Sequence, residues 1–426
     1  MSRPPARRRC RISETAVEIY LVGGAIRDRL LGLPVGERDY VVVGSSPAAM
    51  IERGFRPVGR DFPVFLHPET REEYALARSE RKSGIGHGGF RFQTGPEVSL
   101  VSDLARRDLT INAMAEGPGG EIIDPYGGVR DLESRLLRHV SPAFVEDPLR
   151  LLRVARFSAR FQALGFRLAP ETRSLMASMS QSGELTTLVP ERIWQETRRA
   201  LATDHPETYI QTLRAVGALK ILFPEIDCLF GIPQDPKEHP EIDTGEHLLL
   251  ALAAVARKSK DPLVAYAVLV HDLGKGRTDP ARWPHHPGHA ESGLAVVREL
   301  NARLRVPHTF RLVAELTTRW HLEIHRAPDQ DARSLDGWLS QLPYRQNPAL
   351  LDPVLAACAA DFRGRRGHEA DPYPQEAFLS RLAPALAAIR LEPGEYDWTP
   401  DQKRAALANR RMARIAQALK DGFPET

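Results

Sequence analysis

The feature that most constrains this chain is a change of texture near Asp147. Before it, short β-type runs alternate with turns; after it, strand signals fade and helical segments follow one another to the C-terminus. Ile19 to Val22, Tyr40 to Val43, Val64 to His67 and Glu73 to Arg78 read as strands, and Ser83 to Gly89, with four glycines, reads as a flexible stretch. Beyond the change, Pro148 to Phe161, Pro170 to Met179, Pro190 to Leu201 and Pro206 to Val216 read as helices with proline at or near the first turn. A Pro-rich connector, Gly231 to Pro240, leads to a further helical region and then to Ala/Leu-rich helices (Pro348 to Ala360, Pro374 to Ile389, Pro400 to Leu419). A chain of 426 residues is long enough for several cores. The expected layout is a disordered basic extension over 1–18, an α/β head over 19–146, a helical body over 147–235, a second helical domain over 236–345 and a helical tail over 346–426.

No apolar run approaches the roughly 18 residues that cross a bilayer, so no membrane role is expected. Cys10, Cys228 and Cys358 lie far apart, which suits a reducing cytoplasm and supplies no disulfide framework. The formal charge of +3 falls to −2 without the first twelve residues, which hold five arginines and no acid. Bulk charge therefore decides nothing about nucleic acid. Local basic tracks do, and monomer and homodimer both remain open.

The run Leu21-Val22-Gly23-Gly24-Ala25-Ile26-Arg27-Asp28 sets two glycines between a strand and a helix start, where free N–H groups can meet a phosphate and Arg27 can reach the same anion. About fifteen residues on, Glu37-Arg38-Asp39 opens the next strand. Strand alternation is expected to project Glu37 and Asp39 together, an arrangement that favours a cation between them, and Mg²⁺ joins carboxylates to nucleotide phosphates. Such a pair suits two-metal phosphoryl transfer. Arg106-Arg107-Asp108-Leu109-Thr110-Ile111-Asn112 adds cations and polar groups able to bind a sugar and phosphate. After Glu146-Asp147-Pro148, Arg150, Arg153, Arg156 and Arg160 recur at spacings of 3, 3 and 4 in a stretch, 148–160, without a single acid.

A second cluster is independent of the first. Nine of fourteen histidines fall between 239 and 325. Among them, the apolar helix Leu263 to Val270 runs into His271-Asp272-Leu273-Gly274, a pair of metal ligands at a helix end. His247 on the preceding helix is a third candidate. His289, or else His285 or His286, is a fourth, while His321 and His325 face the pocket or the core.

The motifs Leu-Val-Gly-Gly-Ala-Ile-Arg-Asp (21–28), Arg-Arg-Asp-Leu-Thr-Ile-Asn-Ala (106–113), Asp-Pro-Tyr-Gly-Gly (124–128), Glu-Asp-Pro-Leu-Arg-Leu-Leu-Arg-Val-Ala-Arg-Phe (146–157) and Pro-Glu-Arg-Ile-Trp (190–194) resemble, in order, the class II tRNA nucleotidyltransferases. The resemblance runs from about 19 to 345 and includes the bacterial members fused to an HD phosphohydrolase domain. It implies a polymerase-β-like α/β nucleotidyltransferase head, an all-α neck and an α-helical HD domain, adding CCA to the 3′ end of tRNA from CTP and ATP. By resemblance, Gly24, Arg27 and Arg107 contact the triphosphate and ribose, and Glu37 and Asp39 hold Mg²⁺. Asp147 and Arg150 read the base edge, joined by Arg153 and Arg156. The HD part implies phosphatase, 2′-nucleotidase and 2′,3′-cyclic phosphodiesterase activity with Ni²⁺ or another divalent transition metal at His247, His271, Asp272 and His289. Two departures stand out: Glu37 replaces the usual first Asp, and no Asp follows His321 where many HD proteins place one. A bacterial poly(A) polymerase shares the head motifs, and an HD-type hydrolase with a nucleotide-sensing head is a third reading. The histidine cluster and the absence of a strongly basic C-terminal extension count against the former, and the retained pair Glu37 and Asp39 against the latter.

Overall fold

A computed structural model of the chain describes residues 17–58, 64–82 and 90–423. The expected basic extension up to residue 16 and the stretch Ser83 to Gly89 lie outside the described residues. The chain divides into two compact units, 1–150 with 167–175, and 151–166 with 176–426.

The first unit is built on a seven-stranded mixed sheet. Its strands are β1 (Glu18–Val22), β2 (Asp39–Val43), β3 (Arg56–Val58), β4 (Val64–Leu66), β5 (Glu73–Leu76), β8 (Ala115–Glu116) and β9 (Ile122–Ile123), and β6 (Arg78–Lys82) and β7 (Phe90–Thr94) form a separate hairpin. The spatial order is β3-β4-β5-β2-β1-β8-β9, with β2 and β5 parallel and the other pairs antiparallel. Val22, Val41, Leu104 and Ala115 bury one face of this sheet, and Val42, Phe65, Tyr74 and Leu76 the other. Burial on both faces explains the uninterrupted Val41-Val42-Val43 run at the centre. The helices here are α1 (Gly24–Leu30), α2 (Pro47–Glu52), α3 (Leu100–Ala105) and α4 (Gly128–Glu133), and Ser46 and Ser99 accept from Ala49 and Ser102 N–H groups to cap two of them.

The remaining helices are α5 (Leu149–Phe161), α6 (Pro170–Gln181), α7 (Pro190–Leu201), α8 (Pro206–Ala215), α9 (Leu219–Leu222), α10 (Pro224–Asp227), α11 (Thr244–Lys258), α12 (Pro262–Val270), α13 (His289–Arg303), α14 (His308–His325), α15 (Ala332–Leu339), α16 (Leu351–Arg363), α17 (Pro374–Ala387) and α18 (Pro400–Asp421). Proline occupies the first turn of α7, α8, α12, α17 and α18, where its missing N–H costs nothing. Every side chain of α12 from Val264 to Val270 is buried, because α11, α14 and α16 all pack on it. The expected division at 345 assigns α16 to the tail; in the fold α16 packs on α11, α12 and α14.

Candidate nucleotidyltransferase and metal sites

In the first unit, the β1–β2 ladder places Val22 directly opposite Asp39. The Gly-Gly helix start and the carboxylate therefore share one end of the sheet. Gly23 has φ 73°, a left-handed conformation, and a Cβ there would meet Arg107 Nη1 at 2.9 Å. Gly24, the expected nucleotide contact, is the first residue of α1, so Gly23 carries the backbone requirement. Glu37 lies two residues ahead of β2, so strand alternation does not by itself aim it beside Asp39 as expected. Its charge nevertheless acts on Asp39. The Asp39 carboxyl is raised from its ordinary value by partial desolvation, lowered by Arg107 and raised by Glu37, although the side chain still reaches solvent. The parallel β2–β5 register also sets Glu73 beside Asp39, a neighbour that sequence spacing does not single out.

The cations around this mouth are anchored rather than loose. Arg27 is buried, with Nε donating to Asp28 Oδ1 at 2.9 Å and Nη1 donating to Asn112 Oδ1 at 2.5 Å. Asn112 in turn donates to Asp108 Oδ1 at 2.8 Å. Arg107 donates to Asp103 Oδ2 at 3.2 Å, and Arg106 to Asp103 Oδ1 at 2.8 Å. Burial alone would raise the Asp103 carboxyl, but the two arginines outweigh it and hold it below its usual range. The 124–128 motif is explained locally: Asp124 accepts from the Gly128 and Val129 N–H groups, and a Cβ at Gly128 would strike the Thr110 carbonyl oxygen at 2.4 Å. Asp147 caps α5 by accepting from Leu149 N–H at 3.0 Å, and buried Arg150 donates to the Ala143 carbonyl at 2.6 Å.

Arg153 and Arg156 belong to the second unit. The acid missing from 148–160 is supplied by Glu196 on α7, buried to 2% exposure, which accepts from Arg156 Nε at 2.6 Å and lies 3.9 Å from Arg153. The Arg156 guanidinium also covers the Phe157 ring at 4.4 Å.

The histidine cluster gathers in the interior of the same unit. His247, His271 and Asp272 are all buried, with candidate ligand atoms within 4.8 Å of one another. His271 Nδ1 donates to the Val268 carbonyl at 2.8 Å, which leaves Nε2 directed at Asp272 Oδ2 (3.3 Å) and Asp361 Oδ1 (3.4 Å). Burial disfavours charge on His271, yet the two carboxylates outweigh it and raise its pKa well above the ordinary value. Asp361 was not anticipated. It sits on α16 and accepts from His247 at 2.7 Å and from His325 at 2.7 Å. Its signal in the sequence is a lone carboxylate in the apolar run Ala357-Cys358-Ala359-Ala360, where no solvated face exists for it. Of the three candidates for a fourth ligand, His289 lies 3.2 Å from Asp272 Oδ1, whereas His286 bonds the Pro233 carbonyl and His285 is exposed beside Asp235. His321 is in the cluster, 3.1 Å from His289; His325 braces Asp361 and bonds the Tyr373 hydroxyl at 2.8 Å. Four ligand-type groups from α11, the α12 end and α16 thus converge as a transition-metal site does.

The sheet, its Gly-Gly helix and its carboxylate mouth define a polymerase-β-like nucleotidyltransferase head, and the Poly A polymerase head domain family matches residues 19–138. A second family, described as a probable RNA and SrmB-binding site of polymerase A, matches residues 165–229. The multifunctional CCA protein of Alkalilimnicola ehrlichii is 53% identical over 96% of this chain and 99% of its own length, and that of Vibrio cholerae is 54% identical over 94% and 99%. The chain belongs to the multifunctional CCA protein family, whose members are CCA-adding tRNA nucleotidyltransferases. The fold is shared with a CCA-adding enzyme in apo form II (TM-score 0.63, 19% identity, 95% of this chain and 91% of that one) and with the Thermotoga maritima CCA-adding enzyme complexed with tRNA (TM-score 0.57, 20% identity, 95% and 90%). No described helix is long and apolar enough to cross a membrane.

Proposed function

We propose that this chain builds and repairs the 3′-terminal CCA of tRNA from CTP and ATP in the cytoplasm, and that its HD domain is a separate metal-dependent phosphohydrolase. The observation that carries the first part is the Val22–Asp39 register, which sets the Gly23-Gly24 helix start and a carboxylate at one sheet end. Glu37 and Asp39 would hold Mg²⁺. The fit is chemical: partial desolvation, with a smaller contribution from the Glu37 charge, raises the Asp39 carboxyl despite Arg107, a cost that a divalent ion removes. When bound, the ion lowers the cost of charge on the attacking and departing oxygens. Arg27 and Arg107, fixed by Asp28, Asn112 and Asp103, hold the triphosphate so that the tRNA 3′-oxygen, losing its proton, bonds the α-phosphorus as the bond to the β-phosphate oxygen breaks and pyrophosphate leaves. Asp147 and Arg150 offer opposite hydrogen-bond patterns to the base.

For the HD domain the carrying observation is the buried convergence of His247, His271, Asp272 and Asp361. Buried histidines and acids of this kind suit Ni²⁺ or a similar ion, and phosphatase, 2′-nucleotidase and 2′,3′-cyclic phosphodiesterase activities fit such a centre. Supplying tRNA that lacks its last three nucleotides with labelled CTP and ATP, separately and together, tests the transferase. The expected product is a single CCA end. Long A tails would indicate a poly(A) polymerase, and no incorporation would refute nucleotidyl transfer.

A further inference from the structure

Resting on the reading of the histidine cluster as a phosphohydrolase centre, we propose that Arg365 is the residue that grips the phosphate of its substrate, a phosphate monoester or a cyclic phosphodiester. Gly364 continues α16 with helical angles (φ −73°, ψ −14°), so Arg365 falls one turn beyond Asp361 on the same side of the helix. A Cβ at Gly364 would strike the Ala251 nitrogen and Cα at 2.7 Å. Ala251 stands one turn beyond His247 on α11, so glycine lets the end of α16 close on α11 just past the bonded pair Asp361 and His247. The following residue locks this corner. Arg366 N–H donates to Glu241 Oε2 at 3.3 Å, and Glu241 Oε1 lies 3.0 Å from His239 Nδ1 and 2.7 Å from His247 Nδ1. Arg365 is thereby held at the border of the cluster, and its charge reaches two of the cluster's rings. Burial is the largest cause that lowers His239, to about 4, and His325, and the Arg365 charge adds to it at both, against Glu241 and Asp361.

What marks Arg365 is that its charge has no counter-ion. The residue is half-buried, its Nε is shut off from water without a hydrogen-bond partner, and among the described residues it forms no ion pair. Its Cζ stands 5.6 Å from the Phe362 ring centroid, a contact that supports the guanidinium without neutralising it. The neighbouring cations are engaged: Lys275 Nζ lies 2.7 Å from Asp272 Oδ2, and Arg363 Nε donates to the Asp371 carbonyl at 3.2 Å. A partly desolvated guanidinium with no acid beside it is costly, and a bound anion removes that cost. Phosphate fits the fork, since two parallel N–H groups meet two non-bridging oxygens and so orient the ester as well as hold it. Arg365 is thus a substrate-binding group that presents the phosphorus to the histidine cluster.

The test uses the full chain loaded with Ni²⁺. Wild type, Arg365→Ala and Arg365→Lys are compared for hydrolysis of a nucleoside 2′-phosphate and a 2′,3′-cyclic phosphate and, by calorimetry, for binding of inorganic phosphate. Arg365→Ala should raise KM for the monoester and weaken phosphate binding by about tenfold to a hundredfold, as loss of a charge-assisted pair does, with bound nickel and the thermal melt unchanged. The cyclic ester, which carries one negative charge against nearly two, should lose less. Lysine keeps the charge but not the fork and should recover part of the affinity. Wild-type KM and phosphate affinity in Arg365→Ala, or nickel lost in step with activity, would overturn the proposal and leave the hydrolase reading intact. Phosphate binding that depends on Arg365, with no hydrolysis by the wild type, would overturn the hydrolase reading and keep the anion site. Neither binding nor hydrolysis by the wild type would overturn both. If Arg365→Ala does not fold, Arg365→Gln, which keeps a stem over Phe362, is read in the same way.

Discussion

The head site and the buried histidine cluster handle charge in opposite ways. At the head, Glu37 and Asp39 reach solvent at a strand mouth, while the buried groups Asn112 and Asp103 hold Arg27 and Arg107. In the histidine cluster the ligand-type residues themselves are buried, with His247 and His271 at 1% exposure and Asp272 at 4%. An open site can exchange large substrates at each step of a polymerisation. A closed one suits a small phosphate ester and a resident ion, since desolvated carboxylates and imidazoles are stable only with a proton or a metal between them.

This contrast can be attacked at its strongest point first. Asp361→Asn should reduce metal retention and phosphoester hydrolysis by on the order of a hundredfold, because it removes the negative charge and one of the two oxygens that accept from His247 and His325. CCA incorporation should be unchanged, and a variant that keeps its bound metal would show that Asp361 is only a packing group. Gly23→Ala acts on the head. Alanine is strained at φ 73° and ψ −125°, and its Cβ displaces Arg107, so incorporation should fall by roughly tenfold or more with hydrolysis intact. Equal incorporation by wild type and variant would show that Gly23 is an ordinary turn.

Smaller effects sharpen the same picture. Glu196→Ala leaves Arg156 without its buried acid and should lower unfolding free energy by about 3 kcal/mol in denaturant titrations. A shift under about 0.5 kcal/mol would mean that the arginines of α5 do not depend on it. At the surface, Lys258→Ala removes an exposed pair with Glu376 and should change stability by no more than about 0.5 kcal/mol in the same titration.

Legibility in the sequence followed the same divide. The head motifs are short and contiguous, so local residue order is enough to place the strand, the Gly-Gly turn and the carboxylate, and helices α5 to α8 announce themselves through proline and apolar spacing. What stayed hidden was the aim of groups held by long-range packing. Glu37 precedes its strand, and Glu73 reaches Asp39 only through a parallel register. Glu196 answers arginines some forty residues earlier. Asp361 escaped notice for the same reason: it lies 114 residues from His247, on a helix whose composition suggested a tail, and only the packing of α16 against α11 and α12 brings it home.

The central claim is that one chain carries two chemically independent sites, and a crossed assay of two variants tests it most directly. Asp39→Ala and His271→Ala are each measured for nucleotide incorporation into tRNA lacking CCA and for 2′,3′-cyclic phosphate hydrolysis with Ni²⁺, with folding checked by thermal melting. Asp39→Ala should lose incorporation and keep hydrolysis, and His271→Ala should do the reverse. Loss of both activities in either well-folded variant would contradict the account.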